Sequence, residues 1–389
     1  MAGMLPDILE LLSDMIRIDS RNTMPLEAKG ERPATEERMG LYVESAMKRL
    51  GMDVEKQYIA PGRPNVIGYR ACGVPGARTM GFNAHLDTVG TDGMKIDPFD
   101  PVVKDGLVFG RGSCDTKASL AAMLKAVEGL VAGNVPVNVL FVASASEETG
   151  CQGSPLLKLD KWPCDGFIVG EPTCNCPVVF HKCQGAFDLV CRGRSAHSSR
   201  PELGDNAIIK AARLLCWLAD ECIPGLEKIG SPNFERGCTL SPDIIAGGVK
   251  SNIVADCCRI TCDIRLVPEA GDARAVFERI ANGATEALGF PVELENTQVA
   301  AAMETPLDNP FVETVRRAVR SQGLDDAPKS VAYCTDGGQL SSMGFPCVVL
   351  GPGDIGVAHS EIEYCPIEQL AQAAGIYEAA ARGLAGLPD

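Results

Sequence analysis

The chain has 389 residues, 46% hydrophobic and 22% charged, which is ordinary globular usage and enough sequence for two domains with a water-excluding interior. Its formal net charge of −15 disfavours nonspecific binding to nucleic acid or anionic membranes, whose phosphates need Lys and Arg patches, so a small-molecule partner is expected. The 17 cysteines, in a long chain whose start is acidic and amphipathic where a leader would be basic and apolar, read as reduced thiols of a cytoplasmic protein.

No apolar run approaches the length needed to span a bilayer. The densest cysteine group, Cys164, Cys174, Cys176 and Cys183, lacks paired C-x-x-C spacing and reads as small buried hydrophobes.

Apolar runs bounded by Gly and Pro alternate with stretches at helical spacing, the pattern of an α/β protein with a mixed, largely parallel sheet flanked by helices. "ARTMGFNAHLDTV" predicts a strand ending near His85. Asp87 lies two residues on, so in an extended strand both side chains share a face and the carboxylate can fix the imidazole tautomer that a metal needs. "GRGSCDTKASLAAML" places Asp115 where a glycine-rich loop enters a helix, there to cap the helix or to bridge two metals. The helix "TKASLAAMLKAVEGLVAG" leads to the strand "VPVNVLFVASAS", which ends in the adjacent carboxylates Glu147 and Glu148. Two like charges so close invite a cation or a shared proton: one glutamate can bind metal while the other takes a proton from water, unless both are solvated loop charges. "DGFIVGEPT" predicts a short buried strand that ends at Glu171 and is stopped by Pro172.

After about His181 the texture changes. "GAFDLVCRGRSA" alternates as a half-exposed strand, a helix follows around Asn206 to Ala219, and the strands "TLSPDIIAGG" and "DCCRITCDIRLV" precede the helix "DARAVFERIANGATEAL". These predict an inserted α+β domain over 183–296, with 1–182 and 297–389 forming one catalytic domain. In the last part His359, in "GPGDIGVAHSEIEY", follows the strand "FPCVVL". Five segments thus deliver a ligand-type side chain beyond a strand, the edge at which sites form in open parallel sheets. "GPGDIG" satisfies G-x-G-x-x-G, but no helix opens behind it and no early βαβ unit carries it; G-x-S-x-G and H-E-x-x-H are absent.

Taken together, "AHLDTVG", "GRGSCDTK", "SEETG", "VGEPT" and "AHSEIEY" resemble the M20 family of metallopeptidases and deacylases, in this order and over nearly the full chain. Within it, "HKCQGAFDLVCRGRSAHSSRPELGDNAI" and "YCTDGG" followed by "LGPG" are most similar to the acetylornithine deacetylase branch, with the succinyl-diaminopimelate desuccinylases next. The resemblance implies a zinc-exopeptidase type of fold whose insertion is a lid and dimerisation domain. It implies a dinuclear metal-dependent hydrolase that cuts the amide bond of a small N-acyl amino acid, or a dipeptidase, carboxypeptidase or desuccinylase on the same centre. His85, Asp115 and Glu171 would hold one divalent ion and Asp115, Glu148 and His359 the other, zinc before cobalt or manganese, with Asp115 bridging. Glu147 would be the general base, Asp87 would orient His85, and the Asp115–Thr116 peptide bond would be cis. His197, in "GRSAHSSRP", matches a lid histidine that donates to the oxyanion across a homodimer. Asn252 in "VKSNIVAD" and Arg265 in "DIRLVP" match substrate-contacting lid positions. Arg265 would grip a carboxylate, or pair with Asp263 or Glu269. "TDGG" stands where the branch carries "TEA", so a different side chain or acyl group is expected near Asp336. His181 reads as structural.

Overall fold

The computed structural model describes residues 4–22 and 36–388. The chain opens with α1 (Ile8–Ile16), α2 (Glu37–Arg49), β1 (Asp53–Ala60), β2 (Arg63–Arg70), β3 (Thr79–His85), β4 (Val102–Lys104), β5 (Leu107–Phe109), α3 (Lys117–Ala132), β6 (Asn138–Ser144), β7 (Gly166–Val169) and β8 (Val178–His181). It continues through β9 (Cys183–Arg192), α4 (Ala207–Trp217), α5 (Ile223–Glu227), β10 (Thr239–Gly247), β11 (Cys257–Leu266), α6 (Ala273–Leu288) and β12 (Val292–Ala300). It ends with β13 (Met303–Glu304), α7 (Pro310–Ser321), β14 (Lys329–Val331), α8 (Gly337–Ser342), β15 (Cys347–Val349), β16 (Tyr364–Pro366) and α9 (Ile367–Leu384). Two compact units result: Met1–Phe180 with Met303–Lys329 and Thr335–Asp389, and His181–Ala302 with Ser330–Cys334. Among the described residues no helix is long and apolar enough to cross a membrane.

In the first unit the main sheet runs β1-β2-β6-β3-β7-β15-β8-β13, parallel from β6 through β15 and antiparallel on both sides of that centre. The parallel strands carry near-continuous apolar runs because helices cover both faces; every residue of β3 is buried. Phe82 of β3 packs against Phe141 of β6 and against Tyr377 of α9, at ring-centroid distances of 6.2 and 5.8 Å. The Tyr377 hydroxyl donates to the Leu350 carbonyl at 2.8 Å, which satisfies its buried polar end. The predicted strand over 135–146 ends sooner, at Ser144, because Ser146 turns into the left-handed region at φ 57° and cannot continue a ladder. His85 pairs with Ser144 across β3 and β6, and Val169 lies beside Asn83 and Val349. The carboxyl ends of four strands therefore finish together, and the segments that follow them carry the candidate residues other than Asp115, which lies between β5 of a separate three-stranded sheet, β16-β5-β4, and α3.

The second unit is an antiparallel sheet in the order β10-β11-β9-β12. Burial alternates along all of β11: Cys258, Ile260, Cys262, Ile264 and Leu266 point into a core shared with Leu214 of α4 and with Val276, Phe277 and Ile280 of α6. Phe187 stacks on Phe277 with ring centroids 4.5 Å apart. Asn206 caps α4 and Asp272 caps α6, and Gly289 closes α6 at φ 73°, where a side chain would be strained. The expected boundary at 296 differs from the structure, in which β12 pairs with β9 through Ala300. The register shifts between Glu295 and Gln298, with Asn296 at φ 50°, and that irregularity breaks the alternation from which a strand is read.

Candidate metal centre

His85 is the last residue of β3 and is 1% exposed. Its Nδ1 lies 2.9 Å from the Asp87 carbonyl oxygen and 3.5 Å from Asp87 Oδ1. Nδ1–H donating to that carbonyl leaves the Nε2 lone pair free for a cation. Nε2 faces Asp115 Oδ1 at 3.0 Å and Glu171 Oε1 at 3.9 Å. The other oxygen, Asp115 Oδ2, lies 3.1 Å from His359 Nε2, which is also 3.0 Å from Glu148 Oε2. Asp115 thus presents one oxygen to each histidine, and two groups, His85–Asp115–Glu171 and Asp115–Glu148–His359, have their ligand atoms within 4.8 Å of one another. Donors about 2.1 Å from a tetrahedral ion stand roughly 3.4 Å apart, so both groups have the spacing of a cation shell. No cysteine belongs to such a group among the described residues.

Each ligand is positioned by groups that are themselves fixed. The peptide bond between Asp115 and Thr116 is cis, and Thr116 Oγ1 donates to the Gly170 carbonyl at 2.7 Å, tying the Asp115 loop to the residue before Glu171. Gly112 takes φ 81° in that loop, and an added Cβ would fall 2.8 Å from Lys117 Cδ. The Asp87 carboxylate accepts the amide hydrogens of Glu147 at 3.1 Å and Glu148 at 3.2 Å, and the Asn22 side-chain amide at 2.9 Å. Asp87 therefore orients His85 largely through its carbonyl, while its carboxylate grips the glutamate turn.

Charge is crowded here. Burial alone would discharge His85, but hydrogen bonds to Asp115 and Asp87 and the field of Glu171 hold the imidazole well above the usual histidine range. Burial would raise Asp115, yet the two imidazoles keep its carboxyl well below the carboxylate range. His359 is pushed up to about 10 by its hydrogen bonds to Asp115 and Glu148. Glu147 and Glu171 sit well above the ordinary value through burial and neighbouring carboxylates, and Glu148 is pushed up to about 7 by burial and Asp115. Two imidazoles do not offset this many buried carboxylates. Two divalent cations would, and the donor set of imidazole and carboxylate suits them. Glu147 belongs to neither ligand group.

Two residues holding this site, Glu363 and Asn22, were not singled out from the sequence. Glu363, fully buried, accepts the amides of Cys114 at 2.9 Å and Asp115 at 3.0 Å on Oε1, and Gly112 N at 3.1 Å with Arg111 Nη1 at 2.6 Å on Oε2. Its signal was its place in "AHSEIEY", four residues after His359. Asn22 had no pattern to mark it. Asp336 was expected near a substrate pocket. It is 1% exposed, accepts hydrogen bonds from Ser144 Oγ and, at 2.6 Å, Ser154 Oγ, tethering the end of β6, and its charge reaches Glu147 and Glu171.

In the second unit His197 is exposed, and its Nδ1 lies 2.8 Å from Ser199 Oγ and accepts the Ser199 amide at 3.2 Å. An accepting Nδ1 puts the proton of a neutral ring on Nε2. The Asn252 loop runs beside it: Ser198 N donates to the Asn252 carbonyl at 3.0 Å, and His197 bridges Ile253. Arg265 pairs with Asp263, Nε to Oδ1 at 2.9 Å, and lines a cavity of about 450 Å³ with Lys182, Arg236, Thr239 and Ser330. His181 is buried with Nδ1 at 3.0 Å from the Lys182 carbonyl, and burial pushes it down to about 4.

The sequence model described as Peptidase family M20/M25/M40 matches residues 81–383. An acetylornithine deacetylase of Myxococcus xanthus is 27% identical over 379 residues, covering 95% of each chain. An N-formyl-4-amino-5-aminomethyl-2-methylpyrimidine deformylase of Bacillus subtilis is 27% identical over 373 residues, covering 85% of each. An M20 family metallo-carboxypeptidase from Sulfolobus solfataricus superimposes with a TM-score of 0.77 at 19% identity, covering 98% of this chain and all of that one, and so shares the fold.

Proposed function

The chain belongs to peptidase family M20/M25/M40, and on that premise we propose that it removes the acyl group of a small N-acyl amino acid, in the manner of an acetylornithine deacetylase. It is a metal-dependent enzyme that hydrolyses amide bonds. The observation that carries the hydrolytic reading is the split of roles at one point: Asp115 offers an oxygen to each histidine, while Glu147, half-buried and one residue before Glu148, belongs to neither ligand group.

His85, Asp115 and Glu171 would hold one divalent ion and Asp115, Glu148 and His359 a second, zinc by ligand type with cobalt or manganese as substitutes. Such a pair, when bound, supplies the Lewis acidity that polarises a scissile carbonyl and makes water easier to deprotonate. Glu147 takes a proton of the attacking water and returns it to the leaving amine, and the second water proton follows from the new carboxylic acid, so that amide and water become carboxylate and ammonium.

In the second unit, His197 would donate from Nε2 to the oxyanion, and Asn252 and Arg265 would contact substrate. The Arg265 cavity is lined by three cations, Lys182, Arg236 and Arg265, against one carboxylate, Glu235, a positive balance that suits the carboxylate every N-acyl amino acid carries, although Asp263 already holds Arg265. This unit would act as lid and as the interface of a homodimer. Its edge strand β10 exposes Ile244 and Ile245, 62% and 53% accessible, an apolar edge that a second copy would cover. A chain with 17 cysteines suits the reducing cytoplasm, where thiols stay reduced. A thiol count on the purified, unfolded protein that fell well short of that number would argue against it.

The decisive experiment is a hydrolysis panel of N-acetylornithine, N-succinyl-diaminopimelate, other N-acetyl amino acids and dipeptides, run on protein of measured metal content. Two divalent ions per chain and the highest kcat/KM on an acylated amino acid are expected. Fully active protein without transition metal would end the proposal. Cleavage of dipeptides alone would make the enzyme an exopeptidase, and one tight ion with full activity would remove only the second site.

A further inference from the structure

Ser146 immediately precedes Glu147, is fully buried, and stands at φ 57°, a conformation that a serine keeps only where its surroundings enforce it. Those surroundings are two charged side chains from other parts of the chain. Glu36, just ahead of α2, accepts on Oε1 both the Ser146 amide at 3.1 Å and the Ser146 hydroxyl at 3.0 Å. Arg63, the first residue of β2, donates from Nη1 to the same hydroxyl at 2.8 Å. Its Nε lies 3.7 Å from Glu36 Oε2, and the pair is buried, with Glu36 at 0% and Arg63 at 2% exposure.

A buried ion pair is a poor source of stability, because removing both charges from water offsets most of their attraction. Here the pair converges on a single serine, and what that serine controls is the direction in which the next residue leaves the backbone. From the other side the Asp87 carboxylate holds the amides of Glu147 and Glu148. Neighbouring Asn65 accepts the Ala145 amide at 2.9 Å and donates to the Gly153 carbonyl at 2.9 Å, bracing the turn before and after. The glutamate turn is therefore clamped at both ends. Glu36 and Arg63 belong to neither ligand group; their hydrogen bonds to the glutamate turn are made through Ser146, and Glu36 also feels the charge of Asp87.

We propose that Glu36 and Arg63 are positioning residues for Glu147: by locking Ser146 in the left-handed conformation they aim the Glu147 carboxylate at the attacking water. This rests on Glu147 being the general base. An error of about 1 Å in the placement of a reacting group costs on the order of a hundredfold in rate.

The test is a cycle of Glu36→Gln, Glu147→Gln and the double variant, with kcat, KM and metal content measured for each. Glu36→Gln is expected to lower kcat roughly ten- to hundredfold with KM within about twofold and both ions retained. In the Glu147→Gln background the same change should cost nothing further, because there is no base left to aim. A merely structural role would lower the residual rate again or shed metal. Ser146→Ala leaves the ion pair and the hydrogen bond from the residue 146 amide to Glu36 in place while removing the hydroxyl, and it should reproduce part of the kcat loss. If Glu36→Gln fails to fold, Ser146→Ala decides alone. Native kcat in the folded variants, or losses that multiply in the double variant, would overturn the proposal. Native kcat in Glu147→Gln itself would instead sink the assignment of the base.

Discussion

Glu147→Gln is expected to lower kcat by about 10²- to 10⁴-fold, the usual contribution of a positioned general base, while leaving metal content unchanged. The substitution keeps volume and shape and removes only the ability to take a proton. It leaves the Glu147 amide on Asp87 and the Ser146 grip untouched, so the turn should hold its form. Glu147 is in neither ligand group, so neither cation loses a donor. Glu148→Gln provides the contrast. It weakens an oxygen 3.0 Å from His359, so it should reduce metal retention before it reduces chemistry. Steady-state rates on the best substrate of the panel, with elemental analysis of both variants, separate the two outcomes. Near-native kcat in Glu147→Gln would mean that Glu147 is not the base.

The parts of this site that could be read from the sequence are those in which a side chain follows an element with its own pattern. β3 and β6 announce themselves as apolar runs, and His85, Glu147 and Glu148 sit where those runs end. The spacing of His85 and Asp87 suggested a carboxylate behind an imidazole. It did not show that the nearer contact is the Asp87 carbonyl, nor that the carboxylate serves the glutamate turn. Glu36 and Arg63 were illegible for a common physical reason. Their partners are a main-chain amide, a hydroxyl and each other across as many as 110 residues of sequence, and such contacts leave no periodicity. The second unit shows the same limit: its alternating strands were readable, whereas the irregularity at Asn296 moved its boundary and the return of Ser330–Cys334 to it gave no signal.

His197→Ala is expected to lower kcat by about 10²- to 10³-fold with little change in KM, because a donor to a developing oxyanion acts mainly in the transition state. The local geometry suits a donor. The Ser199 amide, 3.2 Å away, occupies Nδ1 and directs the proton of the neutral ring to Nε2, so a ring that serves its own turn still keeps one nitrogen for another partner. His197 lies in the second unit and both ligand groups found among the described residues lie in the first, and the homodimer we propose would let the ring work on the other protomer's centre. Mixing the His197→Ala chain with the Glu147→Gln chain puts this to the test. If the ring acts in trans, each heterodimer holds one site lacking both groups and one site with both intact, so activity should reappear from two inactive parents. Random exchange places half of the chains in heterodimers with one complete site in two, so recovery should reach roughly a quarter of the wild-type rate. Sedimentation of the wild-type chain checks the dimer, and differently tagged parents show that heterodimers formed. Demonstrated heterodimers without recovered activity would mean that His197 serves its own protomer or takes no part in catalysis.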